Sequence, residues 1–206
     1  MTRKRLTREQ SKDQTRQRLL DAALTIFTKK GYVAASVEDI AAAAGYTRGA
    51  FYSNFRGKPE VLLELLRVDH ERMQSELQDI FVEGATREQM EANVLTYYSQ
   101  LFRDNKCFLL WGEAKLQASR DAKFRTRFNA FMHEKREEMS GYIRTFSERV
   151  GTPLPLPPEM LAVGLMGLCD GVQSLYLSDP QHVTAELTES VLAGFFARVV
   201  FGRNPS

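Results

Sequence analysis

Residues 36–58 read SVEDIAAAAGYTRGAFYSNFRGK, and this stretch decides the fold. Ser36 followed three residues later by Asp39 is a capping-box pattern that opens a short helix over about 37–44. Ile40 and the alanines beside it give that helix a narrow, closely packing face. Gly45 permits a sharp turn, and Thr47 caps a second short helix over about 48–54. There Phe51 and Phe55 stand four apart and share one face. Arg48 and Tyr52, also four apart, are rotated about 100° away from it. A helix–turn–helix with a buried aromatic side and a polar, basic outer side is the layout that places one helix in the major groove of DNA.

The outer residue types suit that task. Arginine can meet a guanine edge through two hydrogen bonds, and Ala50 can lie against a thymine methyl. Gly49 and Ala50 leave room for close approach. Tyr52 and Asn54 can donate to phosphates, which set register rather than sequence choice. Lys58, just before the next helix, combines an ammonium with the free amides of a helix start, and Ser36 stands in the same relation to the preceding helix.

The N-terminal flank agrees. A helix over about 9–30 carries an apolar stripe of Leu19, Leu20, Ala23, Ile26 and Phe27, ends on Lys29 and Lys30, and has Gly31 as a left-handed cap. Residues 1–60 hold 12 Lys/Arg against 6 Asp/Glu, while 61–206 hold 16 against 20, so a net charge of +2 divides into +6 and −4. A basic first third on a mildly acidic remainder points to a polyanion at one end only.

Beyond residue 58 apolar residues recur at helical spacing and alternating β-branched runs are scarce, so the chain reads as all-α. Six of seven prolines lie beyond residue 150, and GTPLPLPP at 151–158 is a loop. Helices are expected over about Pro59–Phe81, from Thr86 to about Arg103, and over 108–118, 121–150, 158–178 and 184–201. The last two are apolar around much of their circumference. Gly164, Gly167 and Gly171 fit either close approach of a second subunit or tight packing within one chain.

Other chemistries find little support. No apolar run approaches the length of a membrane span, and the polar, basic N-terminus is not a secretory signal. Cys107 and Cys169 have no ligand spacing and no disulfide framework, which implies no metal and a reducing, cytoplasmic setting. No nucleophile elbow, phosphate loop or catalytic set accompanies His70, His133 and His182, so no catalytic residue and no cofactor is expected. A dimeric helical enzyme or adaptor is the alternative.

Leu19-Leu20, Ala23, Ile26-Phe27, Gly31-Tyr32, Ser36, Ile40-Ala41, Ala44-Gly45, Thr47-Arg48-Gly49, Phe51-Tyr52, Phe55 and Lys58 together resemble the DNA-binding domain of the TetR family of bacterial transcriptional regulators. The TRGA run followed by an aromatic and tyrosine is similar to the efflux-regulator branch. The resemblance implies a DNA-binding domain over 1–58 and an effector-binding and dimerisation domain over 59–206. It implies that Thr47, Arg48, Gly49, Ala50, Tyr52 and Asn54 meet duplex DNA while Ser36 and Lys58 clamp phosphates. Position 54 departs from the histidine frequent there. Arg3, Lys4, Arg5 and Arg8 form a basic arm open to three readings: minor-groove contact, nonspecific phosphate attraction, or a solvated tail.

The same resemblance implies a homodimer through 158–178 and 184–201 on a palindromic operator, two heads one helical turn apart. Repression relieved by a small apolar or aromatic effector is the family's usual mode. Among many aromatics in the second part, Phe102, Trp111, Phe128, Cys169 and Gln173 are the candidate effector contacts.

Overall fold

The computed structural model describes residues 7–81, 84–104 and 107–202, apart from the side chains of 101–104. The described residues form helices without strands: α1 (Arg8–Lys30), α2 (Val37–Ala43), α3 (Arg48–Tyr52), α4 (Lys58–Ile80), α5 (Arg87–Asp104), α6 (Phe108–Arg120), α7 (Ala122–Val150), α8 (Pro158–Ser178) and α9 (Ala185–Phe195), with a π-helical turn at Phe196–Val200. They divide into two compact units. One comprises the described parts of Met1–Glu71 and Lys106–Phe128, the other those of Arg72–Asn105 and Asn129–Ser206.

In the first unit the helix starts are set by side-chain caps. Thr7 and Gln10 form a capping box on α1, and Ser36 and Asp39 form one on α2. Thr47 Oγ1 accepts from the Ala50 amide to open α3. Gly45 takes φ +75°, with Gly45 N donating to Ala42 O at 3.0 Å and Tyr46 N to Ala41 O at 2.8 Å. That pair of bonds is a Schellman stop, the sharp turn expected between the two short helices.

Gly31 differs from expectation. Its φ is +77° but its ψ is 155°, an extended conformation almost confined to glycine rather than a left-handed helical cap. The extension leads the chain to Tyr32, whose amide donates to Glu113 Oε1 of α6 at 3.3 Å. Trp111, on the same helix, donates from Nε1 to Asp69 Oδ2 at 2.9 Å within the interior.

The second unit is built on Met73, Leu77, Ile80, Met90, Val94, Tyr97, Tyr98, Phe146, Leu165 and Leu192, closed by Phe196, Val200 and Phe201. Arg87 fastens it. The guanidinium pairs with the buried Glu91 at 2.8 Å and donates to Thr152 Oγ1 and the Phe201 carbonyl. The expected α-helix to residue 201 gives way at Phe196 to the π turn, where Phe201 N reaches back to Phe196 O at 2.7 Å. The wider turn lets Phe196 and Phe201 both enter the core, their rings 5.7 Å apart.

α8 qualifies one sequence expectation. By length and composition it is apolar enough to cross a membrane, with a mean hydropathy of 1.4 over its best window, although no charge-free run is long. Only 28% of that window is buried within the chain. Its exposed positions include Met160, Val163, Gly164, Gly167, Gly171 and Leu175, which repeat at three- and four-residue spacing along one face. A Cβ built on any of those three glycines meets nothing within 4 Å, so packing inside one chain does not account for them.

Candidate nucleic-acid interface

The reading surface begins with what holds it rigid. Phe51 and Phe55 are buried with rings 5.7 Å apart, and Leu19, Ala23, Phe27 and Ile40 of the same unit are equally buried. Arg16 of α1 adds a three-way tie. Its Nη1 donates to the Asn54 carbonyl at 2.9 Å, its Nη2 pairs with Glu64 Oε1 of α4 at 2.8 Å, and its guanidinium lies 4.2 Å from the Phe55 ring centre. The end of α3 is thereby fixed to helices on both sides.

Outward from this frame lie Thr47, Arg48, Gly49 and Tyr52, all exposed, with Ala50 half-buried. The Arg48 guanidinium lies 5.4 Å from the centre of the Tyr52 ring, a cation–π distance. Its Nη1 is 2.9 Å from Glu38 Oε1 of α2. Four of the expected contacts, Arg48, Gly49, Ala50 and Tyr52, are thus gathered on one short helix.

The other candidates are more committed within the chain. Ser36 Oγ exchanges hydrogen bonds with Asp39 as the α2 cap. The Lys30 ammonium at 2.7 Å, followed by the amide and hydroxyl of Ser36, holds the Asp39 carboxyl down to about 2 from its ordinary 3.8. Asn54 lies past the end of α3, which stops two residues earlier than the expected 54. The Ser53 hydroxyl joins its own amide on Gly49 O, and the Asn54 side-chain amide takes Ala50 O while the Asn54 backbone N–H turns to Phe51 O. Lys58 Nζ donates to the carbonyls of Tyr32, Val33 and Ala35, at 2.8, 3.3 and 2.5 Å, beneath the α1–α2 turn. Those bonds use an ammonium's three donors. Burial lowers the Lys58 pKa, opposed by the charges of Asp39 and Glu113.

A family model described as bacterial regulatory proteins, tetR family, matches residues 19–65, the segment that builds this frame and face. Over that segment the chain carries a TetR-family head.

Its TetR-family head is 50% identical over 54 residues to the HTH-type transcriptional regulator SrpR of Pseudomonas putida, a match covering 26% of this chain and 25% of SrpR. With YdgC of Bacillus subtilis, an HTH-type transcriptional regulator, the match is 26% over 198 residues, covering 90% of this chain and 94% of YdgC. The chain aligns with only a quarter of SrpR and 40% of TtgW, another P. putida regulator. Among solved structures, SmeT of Stenotrophomonas maltophilia in complex with triclosan superposes with a TM-score of 0.70 at 24% identity, over 91% of this chain and 92% of SmeT. A transcriptional regulator from Saccharomonospora viridis in complex with choline gives 0.72 at 21%, over 89% and 96%. At these identities the likeness establishes the fold alone, over about nine-tenths of the chain.

The described effector candidates are distributed over both units. Trp111 and Phe128 belong to the first unit, Trp111 bonded to Asp69 and Phe128 stacked on Phe124 at 5.9 Å. Cys169 and Gln173 belong to the second, where burial pushes the Cys169 thiol up to about 12. The Phe102 side chain and the arm at Arg3, Lys4 and Arg5 lie outside the described residues, while Arg8 opens α1.

An apolar cavity of about 30 Å³ lies in the second unit, lined by Leu77, Phe81, Tyr98, Met139, Tyr142 and Phe196 among others. A larger cleft of about 580 Å³ runs between α5 and α9, with Thr96, Ser99, Glu186, Glu189 and Ser190 on its walls. The sequence reading missed both linings. It also missed Arg16 and Glu38, because their partners are 38 and 10 residues away and follow no local pattern.

Proposed function

We propose that this chain is a homodimeric, cytoplasmic transcriptional regulator that represses from a palindromic operator and is released by a small, largely apolar effector. The carrying observation is the head: an exposed Arg48–Tyr52 face on a buried aromatic frame, within the segment matching the tetR family model. Arg48 and Ala50 read base edges, while Thr47, Gly49, Tyr52 and Asn54 set the approach of the sugar–phosphate chain. Ser36 and Lys58 bound the two walls. The charge of Lys58, fixed at the start of α4, attracts a phosphate without a free donor. Residues 1–58 form the DNA-binding domain, and 59–206 carry effector binding and dimerisation.

The dimer rests on α8 and α9. Met160, Val163 and Leu175, each more than half exposed, flank the bare glycine stripe, and Leu187 and Val191 extend the apolar surface onto α9. A second copy laid along this face buries it and places two heads for successive grooves.

Support for an effector comes from the aromatic cavity of the second unit and from relatives solved with triclosan and with choline. A cavity of 30 Å³ is far below the several hundred typical of ligand sites. An apolar effector therefore enters by parting Tyr98, Met139 and Phe196, and the opened packing is the state with the weaker operator.

The test is selection of duplexes from a random pool, followed by footprinting. The reading requires a two-fold symmetric footprint with half-sites about one helical turn apart. Enrichment of asymmetric sites, or equal retention of single-stranded RNA across a salt series, counts against it.

A further inference from the structure

On the face proposed to meet DNA stands a carboxylate whose part in holding the head together is small. Glu38 lies in the first turn of α2, Oε1 2.9 Å from Arg48 Nη1, and both side chains are more than half exposed. The pair joins the two helices of the helix–turn–helix beside the exposed Tyr52 ring. An exposed ion pair of this kind stabilises a fold by about 1 kcal/mol or less. Phosphates repel a carboxylate, so its presence here has to be understood from binding.

An unpaired guanidinium on such a surface binds any phosphate, and each charge neutralised adds to sequence-independent affinity. Beside Glu38 that charge is largely cancelled at a distance. The guanidinium nevertheless has five N–H donors in a rigid plane, of which one is bonded to the carboxylate. Two more are enough for the O6 and N7 of guanine. Elsewhere in the same unit Lys30 is paired with Asp39 and Arg16 with Glu64, pairs that tie helices together. The Glu38 pair differs because its arginine faces outward on the reading helix.

We propose that Glu38 is a specificity-determining residue: it holds the Arg48 guanidinium on the groove-facing surface, withholds its charge from phosphates and reserves its remaining donors for a base edge. The proposal rests on the DNA-binding reading of the head.

The probes are duplexes enriched from a random pool by the wild-type chain and shuffled duplexes of the same composition. Each is titrated across a salt series with wild type, Glu38→Gln, Arg48→Ala and the double variant. Glu38→Gln tightens binding to the shuffled duplex by about three- to tenfold and steepens the log–log salt slope by about one. The ratio of selected to shuffled affinity falls accordingly. In the Arg48→Ala background the same change moves that ratio by less than about twofold. An unchanged ratio, or an equal change with and without Arg48, overturns the proposal and leaves Glu38 an ordinary surface charge. A wild-type chain that enriches no duplex overturns the DNA-binding reading and the proposal with it, a failure visible before any variant is made.

Discussion

The head and the C-terminal helices solve opposite problems. The head buries the side chains of its frame, with Phe51 and Ile40 at 0% exposure, and opens each of its first three helices with a side-chain cap. Its outward face is polar. α8 and α9 leave Val163 and Leu175 at 54% and 56% exposure along a face of bare glycines. The difference separates a part whose frame is closed within one chain from a part that leaves an apolar surface open.

The sharpest way to break that contrast is Phe51→Ala. Removing a fully buried ring costs about 3–5 kcal/mol. The head should melt well before the rest in denaturant, with loss of all duplex binding. Next comes Val163→Glu combined with Leu175→Glu. Two unpaired charges on the α8 face weaken self-association by about a hundredfold or more, read by sedimentation, while the melting temperature of the isolated chain changes little. Monomers in the wild type, or dimers in the variant, would remove the assembly half of the comparison. Arg48→Ala is gentler, costing about 1–3 kcal/mol of discrimination. It should relax base preference at one position of each half-site with folding unchanged.

The smallest expected effect is a pH dependence. Asp39 is held at about 2 in the folded head against 3.8 ordinarily, chiefly by the Lys30 hydrogen bond. A depressed carboxyl stabilises above its unfolded pKa, and that contribution is lost as pH falls from about 4 toward 2. Melting curves of wild type and Asp39→Asn should converge over that interval, and parallel curves would show that the carboxylate has no part in acid sensitivity.

The parts of this molecule readable from sequence are those governed by near neighbours. The Ser36–Asp39 capping box, the Gly45 stop, the Thr47 cap and the proline start of α8 all depend on residues within about four positions. The features that escaped depend on distant partners. Lys58 was expected at a phosphate, and its ammonium proved to be bonded to carbonyls 23 to 26 residues earlier. The last helix kept an apolar period, and nothing local signals that five residues widen into a π turn to seat Phe196 and Phe201. The division of the effector candidates between the two units has a similar cause. Aromatic content marks interior, but which interior each ring enters is set by the topology, which divides Trp111 and Phe128 from Cys169 and Gln173.

The Arg16 tie has a consequence for how such a head diversifies. It fixes α3 through the Asn54 carbonyl, Glu64 and Phe55. None of these three interactions uses a side chain at 48, 49, 50 or 52. The geometry of presentation is thus inherited separately from the residues presented. A descendant of this gene can change the surface it presents by altering exposed positions on five residues of helix, while the frame that aims them stays the same.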